Sequence, residues 1–206
     1  MGDDPIAALR GARLPAAWFA RDALEVAPDL IGTVLVHKRR AGVIVETEAY
    51  LGSEDLASHA RFGPTSRTSV MFGPGGVSYV YLCYGIHEMF NIVTGVEGRG
   101  QAVLIRAIAP HVGLPDDPHV GRGPGKVTKA LAIDRSLDRK DLARGPLFVA
   151  RGVAPPEVAT GPRVGVAYAE DWAARPYRFW WRGHPSVSRP AAAGASRGKD
   201  ATIRKR

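Results

Sequence analysis

The sequence predicts one mixed α/β domain composed of several short strands and a few helices. Two observations carry this prediction. Strand-like runs joined by short turns occupy residues 30–50 and 77–94, which is typical of β-hairpins. Helical spacing of apolar residues appears chiefly in two places, after Leu14 and over Val127–Ile133. No internal repeat and no second domain are indicated.

The strands follow one another in a simple order. Leu30–His37 and the run ending at Tyr50 are separated by a charged turn, so we expect a hairpin. Val77–Cys83 and Met89–Thr94 form a second predicted hairpin with Tyr84 near its tip. Further strands are predicted over Gln101–Ile108, Gly145–Val149, Arg163–Ala167 and Tyr177–Arg182. The first helix is expected to begin at Leu14-Pro15 and to end at Pro28-Asp29.

Composition bounds the class of protein. The 206 residues include 45% hydrophobic residues, enough for one domain with a proper core. The net charge of +8 favours a polyanionic partner, nucleic acid first and an anionic membrane surface second. However, residues 189–206 hold six basic side chains and one acidic one, so +5 of that charge lies in a predicted disordered tail.

Cysteine content and the N-terminus predict a cytoplasmic protein. The one cysteine, Cys83, excludes an intrachain disulfide and a cysteine-based zinc site. The opening Met1-Gly-Asp-Asp-Pro lacks the apolar core of a signal peptide. No apolar run approaches the roughly 20 residues that span a bilayer. We therefore expect no membrane association.

The stretch from Val43 to Arg61 carries the most unusual pattern. Glu46 and Glu48 interrupt a β-branched run, and strand alternation predicts Ile44, Glu46, Glu48 and Tyr50 on one face. Burying a carboxylate is costly unless it is paired or hydrogen-bonded. The spacing is equally compatible with a pocket wall and with the solvated face of an edge strand.

Arg106 is the exception in an otherwise apolar predicted central strand. A guanidinium there requires a carboxylate, a carbonyl or a phosphate as partner. Glu48 or Glu46 would satisfy it, so these unusual residues explain one another.

A Gly-rich loop, Gly121-Arg-Gly-Pro-Gly-Lys126, precedes the predicted helix Val127–Ile133. Free backbone N–H groups and the helix dipole make such a junction an anion site. It is not a Walker A motif, because Val120 and Val127 stand where glycine and serine or threonine are needed. A DNA phosphate suits it better than a nucleotide.

Taken together, these residues resemble the alkyladenine (3-methyladenine, or methylpurine) DNA glycosylase family. The matching stretches come in family order and span roughly residues 14–188. They are Val45-Glu-Thr-Glu-Ala-Tyr-Leu-Gly, Glu54-Asp with Ser58-His-Ala-Arg, Met71-Phe, Tyr79-Val-Tyr with Tyr84-Gly and Asn91-Ile, Leu104-Ile-Arg-Ala, Gly123-Pro-Gly-Lys with Ala130-Leu-Ala-Ile, Arg163-Val-Gly-Val, and Arg178-Phe with Arg182-Gly.

The resemblance implies the architecture and the partner. It implies a single domain around a curved, mostly antiparallel sheet with a protruding β-hairpin, over residues 14–188. Residues 1–13 would be a flexible lead-in and residues 189–206 a basic tail. The protein would act as a monomer on double-stranded DNA containing damaged purines, in base excision repair, without metal or cofactor.

The resemblance also implies roles for individual residues. Glu48 would be the general base that activates a water, with Arg106 and the backbone carbonyl of Val164 holding that water. Tyr84 would wedge into the minor groove and fill the gap left by the flipped nucleotide. The remaining implied residues line the base pocket (Tyr50, His59, Tyr81, and Asn91 crowding the guanine 2-amino group) or contact the DNA backbone (Arg67 and Lys126).

The chemistry of these residues fits removal of alkylated or deaminated purines such as 3-methyladenine, 7-methylguanine and hypoxanthine. A base must leave the duplex before it can be attacked, and a tip tyrosine can restore lost stacking. Aromatic faces bind cationic alkylpurines by cation–π attraction. A carboxylate stabilises the oxocarbenium-like sugar and orients water. No lysine is placed as an amine nucleophile, so we expect no strand cleavage.

Three other functions compete with this one. A sugar O-glycosidase would use Glu46 and Glu48 as its paired carboxylates. A non-catalytic nucleic-acid-binding module would use the same cluster as a structural polar network. A metal hydrolase would need His59, His87 and Glu48, although their spacing is not that of a ligand motif. The other histidines, and the unexpected Glu88 in the hairpin, have no assigned role; His37, His111, His119 and His184 are expected at the surface or in loops.

Overall fold

Strand β2 (Arg40–Tyr50) lies at the centre of an eight-stranded sheet whose main order is β3-β4-β5-β2-β1-β6. The computed structural model describes residues 4–188. Strand β8 pairs with β2 beyond the end of β1, and β7 pairs with β8. The other strands are β1 (Val34–His37), β3 (Ser78–Cys83), β4 (His87–Thr94), β5 (Gln101–Val112), β6 (Leu147–Ala150), β7 (Val158–Gly161) and β8 (Arg178–Trp181).

The predicted fold class is confirmed. Every strand pair of the sheet is antiparallel, and the sheet curls in a single mixed α/β domain. Strands β3 and β4 form the protruding hairpin, in register from Ser78 opposite Ile92 to Cys83 opposite His87. Tyr84 lies at its tip with a positive φ of 50° and is 91% exposed.

Short helices pack around the sheet. Those of α type are α1 (Pro5–Gly11), α2 (Ala16–Phe19), α3 (Ala23–Asp29) and α4 (Pro124–Leu131); 3-10 helices cover His59–Phe62, Ser69–Phe72, Arg135–Leu137 and Ala167–Ala173. Within residues 4–188 no helix has both the length and the apolar character needed to cross a membrane.

The N-terminal segments differ from the sequence prediction. Part of the predicted flexible lead-in forms α1, because Asp4 caps its N-terminus and Ile6 is buried against β1 and β6. The single helix predicted after Leu14 is two helices, since the side chain of Asp22 accepts a hydrogen bond from the N–H of Leu24 and starts α3 anew. The predicted tail, residues 189–206, lies outside the described residues.

The prediction of a strand over Arg163–Ala167 is wrong. This segment bends, with Gly165 at a φ of 77° that a strand does not use, and the strand lies earlier, at β7. The bend allows the side chain of Arg163 and the backbone of Val164 to turn towards β2. What the β-branched pattern suggested as a strand is therefore a wall of the site described below.

The two faces of the sheet serve different purposes. Val80, Phe90, Val103 and Ile105 alternate onto the face covered by α3 and α4, where they join the main hydrophobic core. Their neighbours along the same strands point to the opposite face, which is only partly covered by residues 51–72. These are Tyr79, Tyr81, Asn91, Ala102, Leu104 and Arg106.

A bulge breaks the predicted alternation of β2. Register shifts between Ile44 and Glu46 leave Val45 without a partner on β5. As a result Ile44 lies in the main core with Ala49 instead of sharing the face of Glu46, and Val45 packs in a separate cluster with Ala107. The predicted shared face therefore holds for Glu46 and Glu48 but not for Ile44.

We expect Ile44→Ala to lower the free energy of unfolding by about 2–5 kcal/mol, because it leaves a cavity in a fully buried site. Chemical denaturation measures this change. Ile86→Ala is the matched control, since Ile86 is 75% exposed at the hairpin and its loss is expected to cost less than about 0.5 kcal/mol. Equal effects of the two substitutions would contradict the placement of Ile44 in the core.

Candidate active site

A cavity of about 400 Å³ opens on the partly covered face of the sheet. Strands β2 to β5 form its floor, residues 57–71 form one side and residues 164–168 another. Nine of the ten residues predicted for the site line it: Glu48, Tyr50, His59, Arg67, Tyr81, Tyr84, Asn91, Arg106 and Val164. Only Lys126 does not, although its helix reaches the rim through Pro124.

Glu48 is fully buried at the floor of this cavity. It accepts hydrogen bonds from the backbone N–H of Val164 at 2.7 Å and from the Tyr50 hydroxyl at 2.9 Å. The guanidinium of Arg106 lies 3.3 Å away. Two hydrogen bonds and an ion pair thus hold both carboxylate oxygens. Glu48 is therefore part of a pocket wall and does not lie on the solvated face of an edge strand.

Val164 makes a contact with Glu48 that was not predicted from the sequence. Its backbone N–H donates to the carboxylate. The role of its carbonyl in holding a water, which the resemblance implied, stays a prediction. The positive φ of the following Gly165 turns the chain at this point. The loop therefore orients the carboxylate itself.

Arg106 lies between two carboxylates. Its Nε donates to Glu46 at 3.0 Å while its Nη1 approaches Glu48 at 3.3 Å. The predicted pairing of this arginine with Glu46 or Glu48 is confirmed for both. Glu46 does not line the cavity, so it is not placed to act with Glu48 as a catalytic pair on a sugar.

A second buried ion pair, Asp55–Arg163, holds the loop that carries Val164. The two terminal nitrogens of the guanidinium, Nη1 and Nη2, donate to the carboxylate, and the Nη2 contact measures 2.8 Å. Nη1 also donates to the carbonyl of Ala49. The same guanidinium lies 4.8 Å from the centre of the Tyr50 ring. Neither residue of the pair was predicted as functional.

Aromatic rings form another side of the cavity. The rings of His59 and Tyr81 lie 4.6 Å apart at an interplanar angle of 73°. A flat base between two rings needs about 7 Å, twice the usual contact distance, so no base fits between these two. A sandwich of the kind predicted therefore requires Tyr50 as its opposite member.

The ionisable groups of this aromatic wall are held neutral. Burial, with Arg67 and Arg61 adding to it, lowers the pKa of His59 to about 4. The His59 Nδ1 lies 3.0 Å from the hydroxyl of Tyr79, whose pKa burial raises to about 12. Burial, followed by the Glu48 carboxylate, also raises the pKa of Tyr50 well above its ordinary value.

Asn91 lies at the edge of the cavity and is nearly fully buried. Its side-chain amide donates to the carbonyl of Tyr79 at 3.2 Å across the β3–β4 pair. This bond fixes the amide orientation, so the side-chain oxygen has one defined direction. A fixed polar group at a pocket edge can discriminate between ligands that differ there.

The rim of the cavity combines exposed aromatic and basic side chains. Arg67 lies 6.0 Å from the centre of the Tyr81 ring, and Tyr84 stands out from the hairpin. Lys126 is exposed in the first turn of α4 and contacts the carbonyl of His119. Glu88, unexpected in this hairpin, is paired with Arg135 at 3.0 Å, which compensates its charge.

The histidines do not form a metal site among residues 4–188, where no group of three or more potential ligands occurs. His37, expected at the surface, is buried with its Nδ1 2.8 Å from the carbonyl of Leu131. The last residue of β1 thus lies beside the C-terminus of α4. This histidine has a structural environment far from the cavity lining.

The chain matches one family model over residues 17–185, and that model is described as Methylpurine-DNA glycosylase (MPG). The chain belongs to the methylpurine-DNA glycosylase family. Its relatives include proteins of Anaeromyxobacter dehalogenans strain 2CP-1 (54% identical) and Myxococcus xanthus strain DK1622 (50% identical), both named "Putative 3-methyladenine DNA glycosylase". The alignments cover 89% of both chains for the first relative, and 85% of this chain and 93% of the relative for the second.

More distant members carry the same name. A Legionella pneumophila strain Corby relative is 43% identical over 86% of this chain and 98% of its own. The matched span contains every residue that lines the cavity. Membership of this family of DNA glycosylases, which are hydrolases of DNA repair, therefore rests on the part of the chain that builds the site.

Sequence reasoning missed the residues that hold the site from behind. Asp55, Arg163, Ser188 and Arg178 are buried but appear in the sequence as ordinary polar residues. Asp55, Arg163 and Arg178 lie within stretches that match the family. Their position in these stretches is the signal that could have identified them. Their partners are distant in the chain, so spacing alone could not reveal the pairs.

We expect the stability that His59 contributes to be complete above about pH 6.5 and to be lost as the pH falls towards about 4. The reason is that the unfolded chain protonates its histidine first, near pH 6.5, so acid favours unfolding. Denaturation of wild type and His59→Gln across this range measures the effect. The variant should lose less stability on acidification, whereas the exposed control His111→Gln should follow wild type.

Proposed function

We propose that this protein is a monofunctional DNA glycosylase that removes alkylated or deaminated purines from double-stranded DNA. The observation that carries the proposal is a buried carboxylate, Glu48, oriented by two hydrogen bonds and an ion pair at the floor of a cavity walled by neutral aromatic rings. Family membership supports the reaction class. The lesions proposed are 3-methyladenine, 7-methylguanine and hypoxanthine.

Glu48 would act as the general base. Its oxygens are held by Val164, Tyr50 and Arg106, so the carboxylate has one orientation before substrate arrives. As the glycosidic bond breaks, the electron pair leaves with the purine and positive charge develops on the sugar. A water that loses its proton to Glu48 then adds to C1′, which yields an abasic site and the free base.

The aromatic walls suit a base that has left the duplex. Tyr50 on one side and one ring of the nearly perpendicular Tyr81–His59 pair on the other can stack on its two faces. A cationic alkylpurine gains cation–π attraction there. Since the pKa of His59 is about 4, its imidazole is neutral at pH 7 and does not repel that cation. Asn91 is proposed to crowd the 2-amino group of guanine and so to exclude the normal base.

The rim suits binding and extrusion of the nucleotide. Tyr84, at a hairpin tip, is proposed to enter the minor groove and fill the gap in the stack. Arg67 and Lys126 are proposed to contact the DNA backbone on either side of the cavity mouth. The nucleophile that Glu48 activates is water and not a protein amine, so we expect the strand to stay intact.

Glu48→Gln is expected to lower the single-turnover rate of base release by about 10²-fold or more, because the amide accepts no proton. The substrates are duplexes with a single hypoxanthine or 7-methylguanine, and the product is an abasic site without a nick. The control Glu157→Gln makes the same chemical change in an exposed ion pair with Arg182 and should keep wild-type rates. Equal rates for Glu48→Gln and wild type would refute the role of this carboxylate.

Tyr84→Ala is expected to slow release of hypoxanthine from a normal duplex by about tenfold or more, since the plug that offsets unstacking is lost. The defect should shrink when the hypoxanthine is mismatched, because extrusion then costs less. Tyr84→Phe keeps the ring and serves as the matched control. An Ala variant with wild-type rates on both duplexes would show that Tyr84 does not fill the gap.

A further inference from the structure

Behind Arg106 lies a buried carboxylate that the proposed mechanism does not use. Glu46 is fully buried and does not line the cavity. Its two oxygens are taken up by the backbone N–H of Ser188 at 2.7 Å, the Ser188 hydroxyl at 2.9 Å and Arg106 Nε at 3.0 Å. Four separate groups contact it once Arg178 is counted.

Arg178 completes a chain of alternating charges. Its Nη1 lies 3.5 Å from Glu46, and its Cα pairs with that of Glu48 across β2 and β8. The order is Arg178, Glu46, Arg106 and Glu48, so two anions face two cations. Each guanidinium and each carboxylate in this chain is nine-tenths or more buried.

A buried charge that loses its partner acts strongly on its surroundings, because little water screens it. Removing the charge of Glu46 would leave two cations against the one anion Glu48. The net positive charge would lie directly behind the wall of the cavity formed by Arg106. A cationic purine entering that cavity would be repelled, and a neutral purine would not.

We propose that Glu46 is a positioning and specificity-determining residue that acts through Arg106. It holds the guanidinium against Glu48 and keeps the catalytic cluster electrically neutral, so that cationic lesions are accepted. This inference rests on the proposed function, because it concerns which purines the same cavity admits. It assigns no contact between Glu46 and the substrate.

The other charged and ionisable groups around Glu48 do not replace Glu46. Arg163 faces the site from the 163–166 loop, but Asp55 neutralises it with a bidentate pair. Tyr50 and Tyr81 face the carboxylate as neutral phenols, since burial raises the pKa of each. The balance of the cluster therefore depends on Glu46.

The experiment measures single-turnover base release from duplexes carrying either 7-methylguanine, a cation, or hypoxanthine, which is neutral. For Glu46→Gln we expect the protein concentration that gives half the maximal rate to rise for 7-methylguanine by about tenfold more than for hypoxanthine. The maximal rate should fall for both lesions, because Arg106 is less firmly held. A purely structural defect would impair base release from both lesions by the same factor. The ratio of the two half-maximal concentrations would then stay unchanged.

Arg178→Gln tests the same charge from the other side. It leaves the cluster net negative, so the preference between the two lesions should move in the opposite direction, towards 7-methylguanine. The double variant Glu46→Gln/Arg178→Gln restores neutrality and should regain the wild-type ratio. Ser188→Ala removes a hydrogen bond without changing charge, so it should lower rates but keep the ratio.

The outcomes separate this proposal from the proposed function. If wild type releases neither base, the proposed function fails. Suppose instead that wild type is active and that the ratio of half-maximal concentrations for the two lesions is the same in Glu46→Gln, Arg178→Gln and wild type. The role of Glu46 is then refuted. Should Glu46→Gln fail to fold, the Arg178→Gln ratio and the double variant decide the matter.

Discussion

The burial of two carboxylates on one strand is the constraint on which the rest of the site depends. Glu46 and Glu48 are fully enclosed on β2, where an unpaired charge would be prohibitively costly. Arg106 satisfies both from the neighbouring strand, and Arg178 adds a second cation from β8. The sheet brings these strands together because β2 is long enough to pair with β1 at one end and β8 at the other.

The same constraint explains the loops that have no regular structure. The 163–166 segment is not a strand, and its bend brings the backbone N–H of Val164 to Glu48. The ion pair of Arg163 with Asp55 fixes that loop to the segment after β2. A loop held in this way helps to fix the orientation of the carboxylate, which a reactive group requires.

The cavity combines charge at its floor with neutrality at its sides. The floor carries the charged groups of Glu48 and Arg106, with Glu46 and Arg178 behind them. Burial keeps the rings of His59, Tyr79 and Tyr81 uncharged. Under the proposed function, such an environment would accept a flat purine, charged or neutral, and would direct the Glu48 carboxylate at the sugar. The exposed Tyr84 and the basic rim lie outside this interior, where a duplex would approach.

The sequence by itself determined the fold class, both hairpins, the central β5 strand and nine of the residues that line the cavity. It could do so because strand alternation and turn residues act locally, and because Glu48, Tyr81 and Asn91 lie in stretches that resemble the family. Only the tertiary structure decided the bulge at Val45, the bend at Gly165 and the burial of His37. It alone also decided that Asp55 pairs with Arg163 and that Ser188 and Arg178 hold Glu46, because these contacts join residues over 100 positions apart and no local pattern encodes them.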